Sequence, residues 1–226
     1  MARVGGLLRA AVATVLIAVV AGAAAQDIKL LPVDEAASNA SWLRFKARLL
    51  DALVRRDQKF VISIVVGKIR NISDTDGIAE FRKLWELNSA NSPLWVELPK
   101  ILFLGGAYVK RDKGVTEFCG PYVHYKWPDD APVNATGAII AREVLVKTAP
   151  SADAGTLQTL SHDLVNVIDW EVADDSKDNR QPWVKIQTKA GVGFVPDEQI
   201  RSPLEYRACF VKSGASWRMT GLEVGE

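Results

Sequence analysis

The chain has 226 residues with 28 basic and 27 acidic side chains, and 48% of its residues are hydrophobic. The formal net charge is only +1, which argues against the clustered basic surface that broad nucleic-acid binding needs. The apolar content is ample for a packed core, and the length suits one large domain or two small ones.

The first 25 residues have the order of features that is typical of an export signal. Arg3 and Arg9 lie in a basic start, residues 10–20 form a continuous apolar run, and small residues precede Gln26. We therefore predict a signal peptide over residues 1–25 and a mature chain that is periplasmic or secreted. An uncleaved membrane anchor is the alternative. No later segment has the roughly 18 apolar residues that a membrane-spanning helix needs, so we predict no membrane span after signal removal.

Residues 26–137 are predicted to form a helix-rich N-terminal domain. In residues 41–57 the apolar side chains recur every three or four positions, which predicts a helix capped by Ser41. Residues 58–69 are ambiguous, because their apolar spacing suits a helix while their β-branched side chains suit a strand. We favour a helix that completes a helical hairpin.

Two further helices are predicted before the periodicity changes. One begins at Asp76, and the other contains Pro99, which implies a kink or a break. Gly105 and Gly106 are expected to end the second helix. A short hairpin should follow, and then the aromatic segment "PYVHYKW", which we predict as a strand.

The second half of the chain is predicted to be all-β. Residues 128–137 are rich in Pro, Asp and Asn, which indicates a linker. Short strand-like runs then recur about every ten residues, as in a small antiparallel barrel, which we assign to residues 138–202. Residues 173–182 should form a surface loop, and residues 203–226 a closing hairpin, turned at Ser213, that packs on both domains. The predicted fold class is therefore α+β.

Two segments carry a family resemblance, "REVLVKTAPSADAGTLQTLSHDLVNVIDW" and "WVKIQTKAGVGFV". A strand leads to a turn at Pro150, a second strand ends at Leu160, and a Val-rich strand follows. An aromatic residue, a turn and a Gly-aromatic-Val ending close the pattern. Residues 138–202 thus resemble bacterial SH3-like (SH3b) domains. The whole chain is similar to exported proteobacterial proteins that join a helical N-terminal region to such a barrel and end in a tail like residues 201–217.

The resemblance implies this architecture and a location in the cell envelope, and it implies no known activity; our leading interpretation is a non-enzymatic binding protein. SH3-like domains of exported proteins bind cell-wall peptides or glycans, or segments of partner proteins, so the expected partner is a cell-wall fragment or an envelope protein. Aromatic rings give such a site contact area at little entropic cost. The candidate binding residues are Trp170, Trp183, Tyr206, Tyr122 and Tyr125. The alternative is that Trp183 fills the barrel core and that the aromatic segment packs between the domains.

Two other functions stay open, namely a structural protein whose barrel only packs on the N-terminal domain, and an envelope hydrolase. A papain-like hydrolase needs a Cys nucleophile and a His far along the chain, but Cys119 and His124 are only five residues apart. Two histidines and two cysteines have no recognisable zinc spacing, and no phosphate-binding loop is present. We therefore predict no catalytic residue, no metal and no cofactor.

Cys119 and Cys209 are the two cysteines of the chain. In an oxidising compartment an even count favours a disulfide between them, and two buried free thiols are the alternative. Closing a loop of about 90 residues would contribute about 4 kcal/mol in the chain-entropy model. A bridge would also require the C-terminal strand to lie against the N-terminal domain.

Overall fold

The computed structural model describes residues 28–72, 77–175 and 181–225, and their fold is α+β, as predicted. The predicted signal peptide, Asp76 and part of the loop at 173–182 lie outside these ranges. The α-helices in the described ranges are α1 (Ala40–Val54), α2 (Gln58–Ile64), α3 (Ile78–Leu84), α4 (Leu94–Phe103) and α5 (Tyr122–Tyr125). The strands there are β1 (Val65–Arg70), β2 (Ala107–Lys110), β3 (Thr116–Gly120), β4 (Thr136–Ile139), β5 (Val144–Lys147), β6 (Thr156–Leu160), β7 (Leu164–Val172), β8 (Trp183–Thr188), β9 (Gly191–Pro196), β10 (Ile200–Arg201), β11 (Arg207–Ser213) and β12 (Ser216–Glu223). Two 3₁₀ turns span Asp112–Gly114 and Asp197–Gln199.

The first sheet has five strands in the order β1-β12-β11-β3-β2. β1 pairs with β12 in parallel, and the other pairs are antiparallel. The C-terminal hairpin β11–β12 turns at Gly214, whose φ is 58°, and it occupies the centre of this sheet. The C-terminal residues therefore complete a sheet that the N-terminal strands begin.

Helices cover one face of the first sheet. The α1 side chains predicted to share a face are all buried: Trp42, Phe45, Leu49 and Leu53. The Trp42 ring packs against the sheet, with its centroid 5.1 Å from that of Phe210. Asn39 caps α1 instead of the predicted Ser41, because its side chain accepts hydrogen bonds from the first free backbone N–H groups.

Residues 58–69 divide between α2 and β1, so the prediction of one continuous helix was wrong. Asp57 caps α2 by accepting a hydrogen bond from the Phe60 N–H. The chain becomes extended at Val65, which lies opposite Met219 of β12. The β-branched run thus obtains a strand partner from the far end of the chain, which local periodicity does not reveal.

Helix α4 continues through Pro99, so the predicted break does not occur there. The helix ends at Phe103, and Gly105 follows with a φ of 67°, a left-handed conformation that glycine adopts without strain. A Cβ on Gly106 would lie only 2.2 Å from the Cys119 carbonyl oxygen. The two glycines therefore end the helix, as predicted, and allow the chain to pass close to β3.

The segment "PYVHYKW" forms α5 instead of the predicted strand. Its turn is closed by a hydrogen bond of 2.8 Å from the Lys126 N–H to the Tyr122 carbonyl. Tyr122 and Val123 are buried. The predicted alternation of two strand faces is therefore replaced by one helical turn that packs against β3.

The second sheet has seven strands in the order β10-β4-β7-β8-β9-β5-β6, and every pair is antiparallel. In the described part of the chain no pairing joins the end strands β10 and β6, so hydrogen bonds do not close the sheet. Its core consists mainly of Val and Ile side chains, among them Val146, Val184, Ile186 and Val195. In chain order this sheet is inserted between strands β3 and β11 of the first sheet.

Candidate functional site

A cavity of about 380 Å³ opens where the second sheet meets the C-terminal end of α4. Its apolar wall is formed by Phe103, Leu104, Ile140 and Ile200. Its charged side chains are Lys100, Asp197, Glu198, Arg201 and Glu205. Ligand sites commonly combine an apolar wall with a few polar groups at the boundary of two structural units, so this cavity is the leading candidate site.

A second hollow of about 360 Å³ lies beside the cavity, towards β7. The two share Asp197 and Glu205, and the second adds Trp170 and Leu204 to the lining. We call the combined depression the junction groove. It receives side chains from α4, β7, β10, the 3₁₀ turn before β10 and the loop after it.

Trp170 is half-buried on the wall of the junction groove. Its ring lies over Gly137 of β4, where an added Cβ would be 2.9 Å from Trp170 Cη2 and 2.7 Å from Ile200 Cδ1. The absence of a side chain at residue 137 therefore makes room for the ring and for the apolar floor beside it.

Arg201 is the buried cation of the groove, and its side chain is only 4% exposed. Its Nη1 lies 3.0 Å from Glu205 Oε2, and its Nη2 donates to the Tyr206 carbonyl at 2.7 Å. Glu205 Oε1 also accepts from the Ser202 N–H at 2.8 Å. The Arg201 Nε–H has no hydrogen-bond partner among the described residues. A buried donor without a partner is costly, so this N–H is a polar group that the described residues leave unsatisfied.

Two carboxyl groups in the groove have raised pKa values. Burial raises the pKa of Asp197 against the opposing effect of Lys100, and Glu97 and Glu198 raise it further. Burial also raises the pKa of Glu205, against the opposing effect of Arg201. No hydrogen bond to the Asp197 carboxylate occurs within the described ranges. Raised carboxyl pKa values in a cleft are a common feature of functional sites.

The rim of the groove on the α4 side carries an exposed aromatic ring. Phe103 is 72% exposed, although it is a large apolar side chain. Lys100, one turn earlier, donates to Glu97 Oε1 at 2.9 Å, so its charge is locally balanced. The junction groove thus has two aromatic rings, Phe103 at the end of α4 and Trp170 on β7.

Two of the predicted binding residues are buried. Trp183 is 1% exposed, and its indole N–H donates to Asp174 Oδ2 at 2.9 Å. Tyr122 is 0% exposed, and burial raises the pKa of its hydroxyl to about 12. Neither ring presents a face to solvent, so both act as core side chains, which is the alternative interpretation for Trp183.

The remaining predicted aromatic residues lie away from the groove. Tyr125 is half-buried, and its hydroxyl contacts Cys209 Sγ at 3.1 Å. Tyr206 packs on Trp85 with ring centroids 5.0 Å apart. Of the five predicted binding residues, only Trp170 lines the junction groove.

Cys119 on β3 and Cys209 on β11 form a disulfide, with an S–S distance of 2.07 Å. Within the described ranges, Glu117 and these two cysteines form a cluster of metal-ligating residue types. The disulfide leaves no thiolate for a metal ion, so the cluster does not fit one. His124 is not paired with a cysteine either, since its Nδ1 lies 2.9 Å from the Pro203 carbonyl oxygen.

The carboxylates of the first sheet contrast with those of the groove. Glu117 is 3% exposed, and its oxygens accept hydrogen bonds from Arg70 Nη2 at 2.9 Å and Arg111 Nε at 2.8 Å. Arg70 Nε also donates to Glu223 Oε1 at 2.8 Å. Burial alone would raise the pKa of Glu117, but the hydrogen bonds from both arginines outweigh burial and hold it below its ordinary value. Arg207 Nε also lies 3.6 Å from Glu223 Oε2, so each carboxylate of this cluster is paired with arginine side chains.

A third depression, of about 320 Å³, lies beside the end strand β6. Its wall includes Lys29, whose Nζ donates to Asp163 Oδ1 at 2.8 Å and to the Ser161 carbonyl at 2.9 Å. The lysine and the aspartate therefore neutralise each other. Lys189 is a further charged residue of this depression.

Comparison with known proteins yields no match. No protein-family model matches the chain, and neither a curated protein nor a solved structure is significantly similar to it. None of the helices in the described ranges is long and apolar enough to cross a membrane.

Proposed function

We propose that the chain is a non-enzymatic protein of the cell envelope whose second sheet is an SH3-like module, and that the junction groove binds a peptide of the cell wall. The export signal predicted over residues 1–25 would deliver the protein to that compartment.

The arrangement of the second sheet supports the SH3-like assignment. The strands from β5 to β9 follow the order of short antiparallel strands on which the resemblance rests. A 3₁₀ turn, Asp197–Gln199, joins β9 to the two-residue strand β10. This turn also carries acidic side chains into the junction groove.

The observation that carries the binding proposal is the composition of the junction groove. An apolar wall, the half-buried ring of Trp170 and a buried arginine, whose Nε–H has no partner among the described residues, lie where two structural units meet. Such a combination suits a ligand that has both an apolar chain and polar groups. A rigid aromatic ring at the edge of a groove typically contributes strongly to binding.

Binding is favoured over papain-like hydrolysis by the state of Cys119. A cysteine nucleophile must be a free thiolate, and Cys119 is held in the disulfide with Cys209.

A structural role for the second sheet is the second candidate. Leu30 N donates to the His162 carbonyl at 2.8 Å, and Leu164 N donates to the Ile28 carbonyl at 2.9 Å. The start of the described chain is thus tied to the second sheet, as a packing module would require. This candidate predicts no ligand in the junction groove.

Retention of the full mature chain on purified peptidoglycan sacculi tests the proposal. We expect the protein to cosediment with sacculi, and Trp170→Ala to bind about fivefold or more weakly because an anchoring ring is lost. Ile168→Ala is the matched control, since Ile168 is an exposed apolar residue of the same strand that does not line the groove. Absence of retention for the unmodified chain would contradict the cell-wall assignment and favour the structural candidate.

A further inference from the structure

We propose that β6 accepts an extended segment of a partner protein, which adds to the free edge of the second sheet as a further strand. This site is separate from the junction groove and does not depend on the ligand proposed for the groove.

The other ends of the two sheets are covered or short in the described part of the chain. At β2, the Tyr108 N–H donates to Glu35 Oε2 at 2.7 Å. At β1, the Gly77 N–H donates to the Ile69 carbonyl at 3.0 Å, so a loop residue occupies that edge. β10, at the other end of the second sheet, has only two residues. Covered edges and short end strands prevent unwanted strand pairing.

The edge of β6 has no such cover among the described residues. There β6 pairs only with β5, from Val144 opposite Leu160 to Lys147 opposite Thr156. In an antiparallel pair, alternate residues direct their backbone N–H and C=O groups away from the partner strand. No hydrogen bond from a loop of the described ranges reaches these outward groups. They can therefore pair with an added strand.

The sequence of β6, "TLQTL", also lacks the residues that protect an edge strand. It contains no lysine, no other charged residue and no proline. The register shift near Val146 and Lys147 lies at one end of the pairing, whereas residues 158–160 pair regularly with β5. Thr159, in this regular part, is exposed. Residues 158–160 therefore present a regular template for strand addition.

The depression of about 320 Å³ provides space beside this edge. It is lined by three consecutive residues of β6, namely Gln158, Thr159 and Leu160. Because the side chains of a strand alternate between its two faces, a depression that touches all three lies along the edge of the strand. Its opposite wall includes Leu164 and Val165 of β7. An added strand would lie between β6 and this wall.

The walls of the depression indicate the side chains of the added segment. Leu160 and Val165 offer apolar contacts. Lys29 and Asp163 are paired with each other at 2.8 Å, and Lys189 adds a positive charge that disfavours a basic segment. In strand addition the backbone hydrogen bonds supply affinity and alternate side chains supply specificity. The site therefore fits an extended segment in which apolar residues alternate with uncharged or acidic ones.

Peptides selected by the protein itself test the inference. The full mature chain is used to select binders from a phage-displayed library of random twelve-residue peptides. The tightest binder is then synthesised with N-methyl groups on alternate backbone nitrogens, in two complementary sets. We expect one set to bind about tenfold or more weakly, because its N–H groups donate to β6. The other set should bind as the unmodified peptide does, because its N–H groups face away from β6.

A substitution at the edge gives a second readout. Thr159→Lys should weaken the peptide about fivefold or more, because a charge on an end strand opposes pairing. Thr116→Lys, at an exposed threonine of β3, is the matched control and should leave the affinity unchanged. Bound peptide should also slow the hydrogen–deuterium exchange of the amides in Thr156–Leu160.

Three results would overturn the inference. The first is equal binding of the two N-methylated sets, or a selection that yields no binder. The second is slowed exchange confined to the residues of the junction groove. The third is a dimer in which the β6 amides are already protected without peptide, since a second copy of the chain would then occupy the edge.

Discussion

Glu117 of the first sheet and the groove residues Asp197 and Glu205 carry the same chemical group, but their pKa values are shifted in opposite directions. Glu117 is buried with two arginines on its oxygens, and its pKa lies below the ordinary value. Asp197 is exposed and the Glu205 side chain is 40% exposed, and the pKa values of both lie above the ordinary value. The arginines around Glu117 stabilise its ionised form and with it the fold, whereas the groove carboxylates should contribute little to the stability of the fold.

The lowered pKa of Glu117 and the raised pKa values of Asp197 and Glu205 also have opposite effects on stability as the pH changes. A lowered pKa means that Glu117 contributes stability above the pKa of the unfolded chain, and this contribution is lost as the pH falls through its folded value. Raised pKa values mean that ionised Asp197 and Glu205 lower stability at neutral pH and are relieved by protonation. The comparison predicts that changes in the first cluster damage the fold, while changes in the groove damage binding.

The largest effect is expected where the first sheet is covalently closed. Replacing Cys119 and Cys209 together with Ser should lower the free energy of unfolding by about 4 kcal/mol, because the bridge closes a long loop. Chemical denaturation of the full chain measures this, and the reduced unmodified chain should behave like the double variant. A loss below about 1 kcal/mol would show that the sheet holds β3 and β11 together without the bridge.

Glu117→Gln should destabilise the fold by about 2 kcal/mol, because it leaves two arginine side chains without a carboxylate. The figure is below that of a fully buried pair, since the Arg70 and Arg111 side chains are 33% and 37% exposed. Asp51→Asn, in an exposed pair with Arg55, serves as the control and should change little. Equal effects of the two substitutions in urea denaturation would contradict the distinction between the regions.

Gly137→Ala should disturb the groove wall and lower stability by about 1 kcal/mol, because the added Cβ would meet Trp170 and Ile200 at under 3 Å. Retention on sacculi should fall in parallel. Gly155→Ala is the matched control, since its Cβ would meet Thr148 Oγ1 at an ordinary 3.5 Å. Unchanged binding in Gly137→Ala would place the ligand away from Trp170.

The smallest effect on folding is expected at the centre of the groove. Asp197→Asn removes a poorly compensated carboxylate, so the free energy of unfolding at pH 7 should stay within about 0.5 kcal/mol or rise slightly. Urea denaturation at pH 7 measures this. A loss of more than about 1 kcal/mol would mean that Asp197 belongs to the structural carboxylates, as Glu117 does.

The sequence predicts the parts of this molecule that depend on local spacing. The buried face of α1 follows from apolar residues three and four apart, and the closing hairpin from the turn at Ser213 and Gly214. The split at Val65 between α2 and β1 does not follow, because β1 is stabilised by pairing with the distant β12. The aromatic segment likewise becomes α5, where packing against β3 overrides its alternation.

The candidate site was predictable only in part. Trp170 was selected from the sequence, but Phe103, Asp197, Arg201 and Glu205 were not. The acidic residues around "PDEQIRSPLEY" were the available signal, and taken alone they suit an exposed loop equally well. Their role depends on α4, which lies far earlier in the chain and whose last residues line the same cavity.

The most direct test of the difference between the two groups of carboxyls is a ¹³C-carboxyl NMR titration of the full mature chain. We predict that Asp197 and Glu205 titrate above the ordinary range and that Glu117 titrates below it. Groove pKa values at or below the ordinary range, or a Glu117 pKa above it, would contradict the account.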